Sequence, residues 1–405
     1  MIRKPVLALL TVLAVLLGGV AMSTPSGAVT DSATIVPSPN PGPRNPNEDT
    51  LWSVSCMSAS WCVAVGDDNT GLGTETMVLM WDGSTWTPVA SPNPLTRQSL
   101  FSVTCLTTSW CMAVGSKGYP ADTFAMIWDG ASWSDVSSPI PGFLGSVSCV
   151  ADSSCVAVGY HKNGSVDQTL ILDWDGSTWT QVTSPNDGAD SNYLNSVSCV
   201  SASSCVAVGY SFNGGAHWTL AMVWNGTTWA IASSPSPGSG FFGNMLSSVS
   251  CLSATSCVAV GAYKSGSTFQ TLVANWDGIA WTQATSPNSG TKDNELTSVT
   301  CVSATTCVAV GSYQNDSSQG QTLVLDWDGS NWTQASSPSS PSPSATHLHS
   351  VSCADATSCF AVGYWYSPPL GSINQTFTML LAGHEPPATT TTSASVDPIA
   401  PAFTG

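Results

Sequence analysis

The chain has 405 residues, only 8% of them charged, and a formal net charge of −17. An acidic surface of mostly Ser, Thr, Asn and Gly repels phosphate backbones and anionic bilayers, which excludes nucleic acid and anionic membrane as partners. Past the amino terminus no apolar run is long enough to span a bilayer, so no membrane insertion is expected.

Met1-Ile2-Arg3-Lys4 is basic, Pro5 to Met22 is apolar, and Ser26-Gly27-Ala28 has the small side chains of a cleavage site. Residues 1–28 therefore read as a secretory signal peptide, and the protein as secreted and extracellular. With no cysteine near that site, a lipoprotein anchor is not expected. Loss of Arg3 and Lys4 leaves six Lys/Arg against 25 Asp/Glu, a formal charge near −19.

From Leu51 onward one unit is written about seven times. It is marked by cysteine pairs with five residues between the members: Cys56/Cys62, Cys105/Cys111, Cys149/Cys155, Cys199/Cys205, Cys251/Cys257, Cys301/Cys307 and Cys353/Cys359. The first cysteines recur after 49, 44, 50, 52, 50 and 52 residues. A period of about 40–50 residues built from short strands is the mark of propeller blades.

Each copy predicts four strands. Strand a is the LxSVSC run, as in Leu194–Cys199, and strand b the CVAVG run, as in Cys205–Gly209. Strand c is the TLxxxW run, as in Thr169–Trp174, and strand d runs from Trp179 to Pro185. Short length and β-branched valines favour strand over helix. A proline closes strand d because it cannot donate to a ladder. The c–d link is an Asp-Gly turn at Asp82, Asp129, Asp175, Asp277 and Asp328, and Asn-Gly at Asn225. These aspartates read as turn formers, not catalysts.

The seventh copy has strands a, b and c (Leu348–Cys353, Cys359–Gly363, Gln375–Leu381) but no d. Ser32–Pro41 matches the terminal half of Thr85–Pro94, so an amino-terminal strand is expected to complete the last blade and remove its free edge. The fold expected is all-β: a seven-bladed β-propeller of four-stranded blades over residues 29–384. In an oxidising compartment all 14 cysteines are expected as disulfides, each pair bridging strands a and b of its own blade. Zinc is disfavoured, because metal sites use closer cysteine spacing and no histidine accompanies each pair. Residues 385–405, rich in Thr, Ser and Pro, read as a disordered tail or spacer.

The repeats SVSC…CVAVG…WDGSTW resemble the BNR (Asp-box) and kelch-like repeats of secreted bacterial propellers, over roughly Leu51 to Leu381. The Asp-box runs Ser-x-Asp-x-Gly-x-Thr-Trp, and Asp82-Gly83-Ser84-Thr85-Trp86 lacks the residue between Asp and Gly. The resemblance implies sialidase-like architecture. Sialidases of that superfamily hold the substrate carboxylate with three arginines, whereas the mature chain has two, Arg44 and Arg97, so sialidase activity is not expected. Nor does any motif fix the paired histidines and tyrosines of galactose-oxidase-like copper chemistry.

Comparison of the copies with one another separates scaffold from candidate site. The a–b and c–d links are nearly uniform, while the b–c and d–a links vary and lie together at the other end of the ring, where function usually sits. The b–c loops are read to hold His161, Trp218, Tyr263, Tyr364, Trp365 and Tyr366. The d–a loops are read to hold Tyr193, Phe241, Phe242, His347 and His349. The second residue of strand a (Trp52, Phe101, Gly145, Asn195, Ser247, Thr297, His349) is placed at the channel mouth.

Aromatic rings beside amides and carboxylates suit a glycan-binding face, with Trp52, His161, Trp218, His349, Trp365 and Tyr366 as candidate ligand contacts. Tyr160, Tyr210, Tyr263 and Tyr313 recur by blade and read as caps on the core. His347 and His349 are an alternative metal pair, although no metal or cofactor is called for. The expected function is a secreted non-catalytic binding or scaffold propeller for an extracellular glycan or a protein partner. The alternative is a glycan-active enzyme, hydrolase or lyase, using loop carboxylates such as Asp67/Asp68, Asp187/Asp190 or Asp293/Glu295. No Ser-His-Asp motif, phosphate cradle or HExxH is present.

Overall fold

The computed structural model describes residues 32–40, 49–70, 73–95, 97–137, 140–339, 345–367 and 373–383. Residues 1–28, read as a signal peptide, residues 385–405, read as a tail, and Arg44 and Glu48 lie outside them. Seven antiparallel sheets of four strands each are formed. Blades 1 to 6 begin at Thr50, Gln98, Phe143, Asn192, Asn244 and Asn294, and blade 7 at Ala345. In blade 4, strands a to d are Asn192–Ser201, Ser204–Asn213, Ala216–Trp224 and Trp229–Ala232. Each strand a touches the strand a of both neighbouring blades, and that of blade 7 touches that of blade 1, so the ring closes.

The missing strand comes from the amino terminus. Ser32–Val36 pairs antiparallel with Ile373–Ala382, with Ile35 opposite Met379 and Val36 opposite Thr378. Beyond it, Thr376 binds the Ser38 hydroxyl at 2.7 Å, and its amide donates to Asn40 Oδ1 at 2.7 Å. The same knot ties Thr76 to Ser91 and Asn93 inside blade 1, which is why the two Ser-Pro-Asn segments match in sequence.

All seven expected disulfides are present, each within its own blade. The bridged residues face each other across strands a and b with Cα atoms 4.0 Å apart in blade 4, the close spacing of a non-hydrogen-bonded pair. Seven disulfides suit an oxidising environment.

The second cysteine of each pair is the inner one. Cys62 and Cys111 bond to Cys56 and Cys105 as expected, yet both are 0% exposed and belong to hydrophobic clusters, Cys62 beside Leu79 and Trp81, Cys111 beside Val103 and Trp128. The disulfide reading of Cys62 and Cys111 therefore holds, and both also form part of the core. The reason is the strand they sit on. Strand b lies inside its sheet, between strands a and c, so its cysteine is sealed in while the partner on strand a is less buried. Among the described residues no helix is long and apolar enough to cross a membrane.

Strand a is the free edge of each sheet on the channel side, and its outward amides need acceptors. The serines of SVSC supply them. Val103 N donates to Ser53 Oγ at 3.1 Å and Cys105 N to Ser55 Oγ at 3.1 Å, from blade 2 to blade 1. Twelve such bonds bridge all seven junctions, including Val54 N to Ser350 and Cys56 N to Ser352 where the ring closes. The Ser-x-Ser pattern is thus the joint between blades.

At the uniform end, the aspartates are turn formers. Asp82 Oδ1 accepts from the Ser84 and Thr85 amides at 2.8 Å. Hydrogen bonds from the Ser84 side chain and the Thr85 and Ser84 amides hold its carboxyl down at about 2. The strand-c tryptophan donates its indole N–H to the a–b turn, Trp174 to Asp152 O at 3.0 Å for example, and tilts against the strand-d tryptophan, Trp179, at 5.3 Å.

Candidate functional site

Every strand a bulges between its leucine and the first serine. The unpaired residue of that bulge is the one read as lining the channel mouth: Trp52, Phe101, Gly145, Asn195, Ser247, Thr297 and His349. A bulge re-aims a side chain out of the pleat, and all seven are partly exposed. The bulge presses a backbone carbonyl onto the last residue of CVAVG, where a Cβ on Gly209 would collide with the Tyr193 oxygen, so glycine is required there.

The ring of bulge residues is lopsided. Trp52 stacks on His349 at 4.2 Å and 10°, and meets Phe101 edge-on at 5.9 Å. The Trp52 indole N–H donates to Asp67 Oδ1 at 2.6 Å, and Ser99 holds Asp67 Oδ2 at 3.0 Å. Elsewhere on the ring small polar residues are tied to the next blade instead, Asn195 to Leu246 O at 2.8 Å and Thr297 to Leu348 O at 2.7 Å. Burial and the nearby His347 push the His349 imidazole down to about 4, so it is neutral, and its Nδ1 has no hydrogen-bond partner among the described residues.

His347 and His349, the pair read as an alternative metal site, share one aromatic neighbour. The ring of Tyr364 contacts both, stacked on His347 and edge-on to His349, each at 5.2 Å. His347 Nδ1 is spent on Ser312 Oγ at 3.1 Å, whose hydroxyl donates to Glu295 Oε1 at 3.0 Å. Among the described residues no group of three or more His, Cys, Asp or Glu side chains is placed to hold a metal ion.

The residues read as b–c loops lie on strands. His161 is on Ser154–Asn163, Trp218 on Ala216–Trp224, and Trp365 and Tyr366 on Ser358–Ser367. His349 likewise lies on Ala345–Asp355. The reason is a tight turn at the tip of each hairpin, with Gly164, Gly214 and Gly266 at φ of 64°, 62° and 63°. Asn163-Gly164 and Asn213-Gly214 are hairpin signals that would have extended both strands. Trp218 is 43% exposed, whereas Trp365 packs on the blade 7 core. Trp52 and His349 meet at the channel, while His161, Trp218 and the pair Trp365 and Tyr366 sit on inner strands of blades 3, 4 and 7.

Tyr160 and Tyr210 stand in a ladder across blades 3 and 4. Phe143, Tyr160, Tyr193 and Tyr210 follow one another at 4.9, 4.9 and 4.8 Å. Tyr193 donates its hydroxyl to Asp167 at 2.7 Å, and burial and that bond push its phenol up to about 12. The ladder runs on to the buried His217, ringed by Tyr210, Phe212, Phe241 and Phe242 at 5.0–5.4 Å. Phe241 and Phe242 end the run on the surface, 54% and 56% exposed, and Phe242 is held in the left-handed region at φ 58°. Tyr263 and Tyr313 instead pack on the cores of blades 5 and 6.

The carboxylates considered for catalysis are tied locally. Asp187 accepts from Ser211, Asp293 from the Phe269 amide and Glu295 from Ser312. Asp67 and Asp68 are successive residues of one strand, not of a loop, and so point to opposite faces.

Asp49 escaped the sequence reading. It is 1% exposed and shares a hydrogen bond with Asp68; burial, that bond and the charges of Asp68 and Asp67 push its carboxyl up to about 8. The same position, two before the strand-a leucine, holds Asn192, Asn244 and Asn294 in blades 4 to 6, where the amide donates to loop carbonyls.

No family model matches the chain, and no curated protein does. Solved structures do. One described as YCF48 bound to D1 peptide superposes with a TM-score of 0.52 at 14% identity, covering 89% of this chain and 99% of that one. YCF48 from Cyanidioschyzon merolae gives 0.52 at 14%, covering 86% and 98%. A polysaccharide lyase described as a PL25 ulvan lyase with a bound GlcA–Rha3S unit gives 0.52 at 9%, covering 89% and 96%. At these identities the likeness is one of fold.

Proposed function

We propose that the protein is a secreted, non-catalytic binding propeller, and that the variable end of blades 4 and 5 receives an extracellular protein segment. The observation that carries this reading is the pair Phe241 and Phe242. They are exposed, supported from below by Phe212 and His217, and held by a strained backbone. Phenyl groups offer no hydrogen bonds to sugar hydroxyls and suit the apolar anchor of a peptide. The strongly acidic chain favours a neutral or basic partner. Among fold relatives, one is described as bound to a peptide and another as a lyase on a polysaccharide, so fold alone fits either class.

A glycan is the second reading. In the Tyr160–Tyr193–Tyr210 ladder the rings cover one another, which leaves Trp218 as the exposed indole able to lie against a sugar. In this reading the Asp-Gly-Ser-Thr-Trp turns tie the chain to Asp-box repeats, residues 1–28 direct export and 385–405 form a spacer.

Panning a displayed random-peptide library on the wild type and on Phe241→Ser/Phe242→Ser tests the first reading. Basic, apolar-anchored peptides retained by the wild type and released by the variant support it. Selection indifferent to both phenylalanines overturns it, and polysaccharide binding lost in Trp218→Ala transfers the function to the second.

A further inference from the structure

The uniform end of the ring is less uniform than its sequence suggests. The residue before the second cysteine of each blade points into the groove towards the next blade. In blades 1 and 2 it is Trp61 and Trp110. Trp61, with Met80, packs on the blade 2 core beside Trp128, and Trp110, with Ile127, packs on the blade 3 core beside Trp174. Those two grooves are filled, and Trp128 and Trp174 are only 7% and 4% exposed.

In blades 3, 4 and 5 the same slot holds Ser154, Ser204 and Ser256, and grooves of about 270, 450 and 190 Å³ open there. The tryptophans that face the first and last of these, Trp224 and Trp327, are correspondingly more exposed.

What stands at the position of Met80 and Ile127 then decides the chemistry. In the blade 3–4 groove it is Asp173, whose half-buried carboxylate has no partner among the described residues. Burial pushes that carboxyl above its usual range. In the 4–5 groove it is Val223, and in the 5–6 groove Asn275.

We infer that the groove between blades 3 and 4 is a sugar-binding site, with a pyranose ring lying on Trp224 and its hydroxyls held by Asp173 and Ser154. The blade 5–6 groove, with Trp327, Asn275 and Ser256, is its weaker second copy. An indole face with one acceptor side chain and a hydroxyl is the complement of a ring that is apolar on its C–H face and polar at its edge. A cationic ligand would also suit Asp173 and Trp224, but the neutral Asn275 in the parallel groove keeps the hydrogen bonds and loses the charge. Two grooves on one rigid ring would give a polymer of such sugars avidity that neither site has alone. The site lies at the opposite end from Phe241 and Phe242 and does not depend on the peptide reading.

The test is saturation-transfer NMR and tryptophan fluorescence with a panel of methyl pyranosides. The panel is run on the wild type, Asp173→Ala, Asp173→Asn and Ser154→Trp. The last carries the side chain that blades 1 and 2 already accommodate in this slot, so it is expected to fold. Saturable binding by one or more pyranosides, weakened about tenfold or more in Asp173→Ala and Ser154→Trp but retained in part by Asp173→Asn, supports the site. Binding unchanged in Ser154→Trp, or none with any pyranoside, overturns it. So does binding of choline in place of sugars that Asp173→Asn abolishes. Phe241→Ser/Phe242→Ser is expected to leave pyranoside binding intact, which separates this site from the peptide surface.

Discussion

The indole of Trp52 lies flat on the imidazole of His349, 4.2 Å away across the junction where blade 7 meets blade 1. That stack is compatible with a neutral imidazole in a site that penalises charge. Burial lowers the folded pKa to about 4 from 6.5, so between those values the unfolded chain binds more protons. The resulting stability is complete above about pH 6.5 and is lost as pH falls through 4, amounting to roughly 3 kcal/mol. His349→Phe keeps the stack and removes the titration. Its melting temperature is expected to fall less than that of the wild type between pH 7 and pH 4, read by differential scanning calorimetry.

Asp49 titrates in the opposite sense. Its folded carboxyl releases its proton near 8, its unfolded one near 3.8. The stability it contributes is present below about pH 4 and drains away as pH rises through 8. Asp49→Asn installs the amide that blades 4 to 6 carry at this position. It is expected to flatten the pH dependence and to stabilise the fold most at pH 9, measured by denaturant unfolding at pH 5, 7 and 9.

Ser53→Ala strands the Val103 amide at the blade 1–2 junction, since Val103 N donates to that hydroxyl in a buried setting. A buried donor without an acceptor costs about 1–3 kcal/mol. Serine at a c–d turn, such as Ser177, is exposed, and its replacement by alanine is expected to cost a few tenths of that. Thermal unfolding of the two variants side by side checks the contrast.

Deleting residues 29–40 removes the strand that pairs with Ile373–Ala382 and the knot on Thr376. The exposed edge is a template for pairing with another chain. The shortened protein is expected to elute from a sizing column as dimers or aggregates. A monomer with an unchanged melting temperature would show that the ring does not need its seventh outer strand.

Blade number, disulfide pairing and the shared last blade were legible in the sequence because each is written several times over, as Cys-x5-Cys, Asp-Gly or Ser-Pro-Asn. What single positions do was harder to read. The spacing pairs Cys56 with Cys62 and Cys105 with Cys111, but it does not say that Cys62 and Cys111 are sealed in the core; that depends on which strand lies inside the sheet. Asp49 has no partner in the linear order to mark it; only the pairing of two strands brings it to Asp68. Trp61 and Ser154 occupy one alignment column, and nothing in that column says that the first fills a groove and the second opens one. His161 and Trp218 read as loop residues because the CVAVG and TLxxxW runs leave them outside, although the glycine turns at 164 and 214 let both strands continue.

The serine joints have a consequence for how such a molecule can change. Each blade offers the hydroxyl of the first serine of its SVSC or SVTC run to its successor, and five of the seven add a second two residues on, up to and including Ser350 and Ser352 reaching Val54 and Cys56. Neighbours are therefore interchangeable parts. A lineage could duplicate or shuffle whole units while leaving every coupling in register, and differences such as Trp61 against Ser154 could accumulate one unit at a time on a chassis that does not notice them.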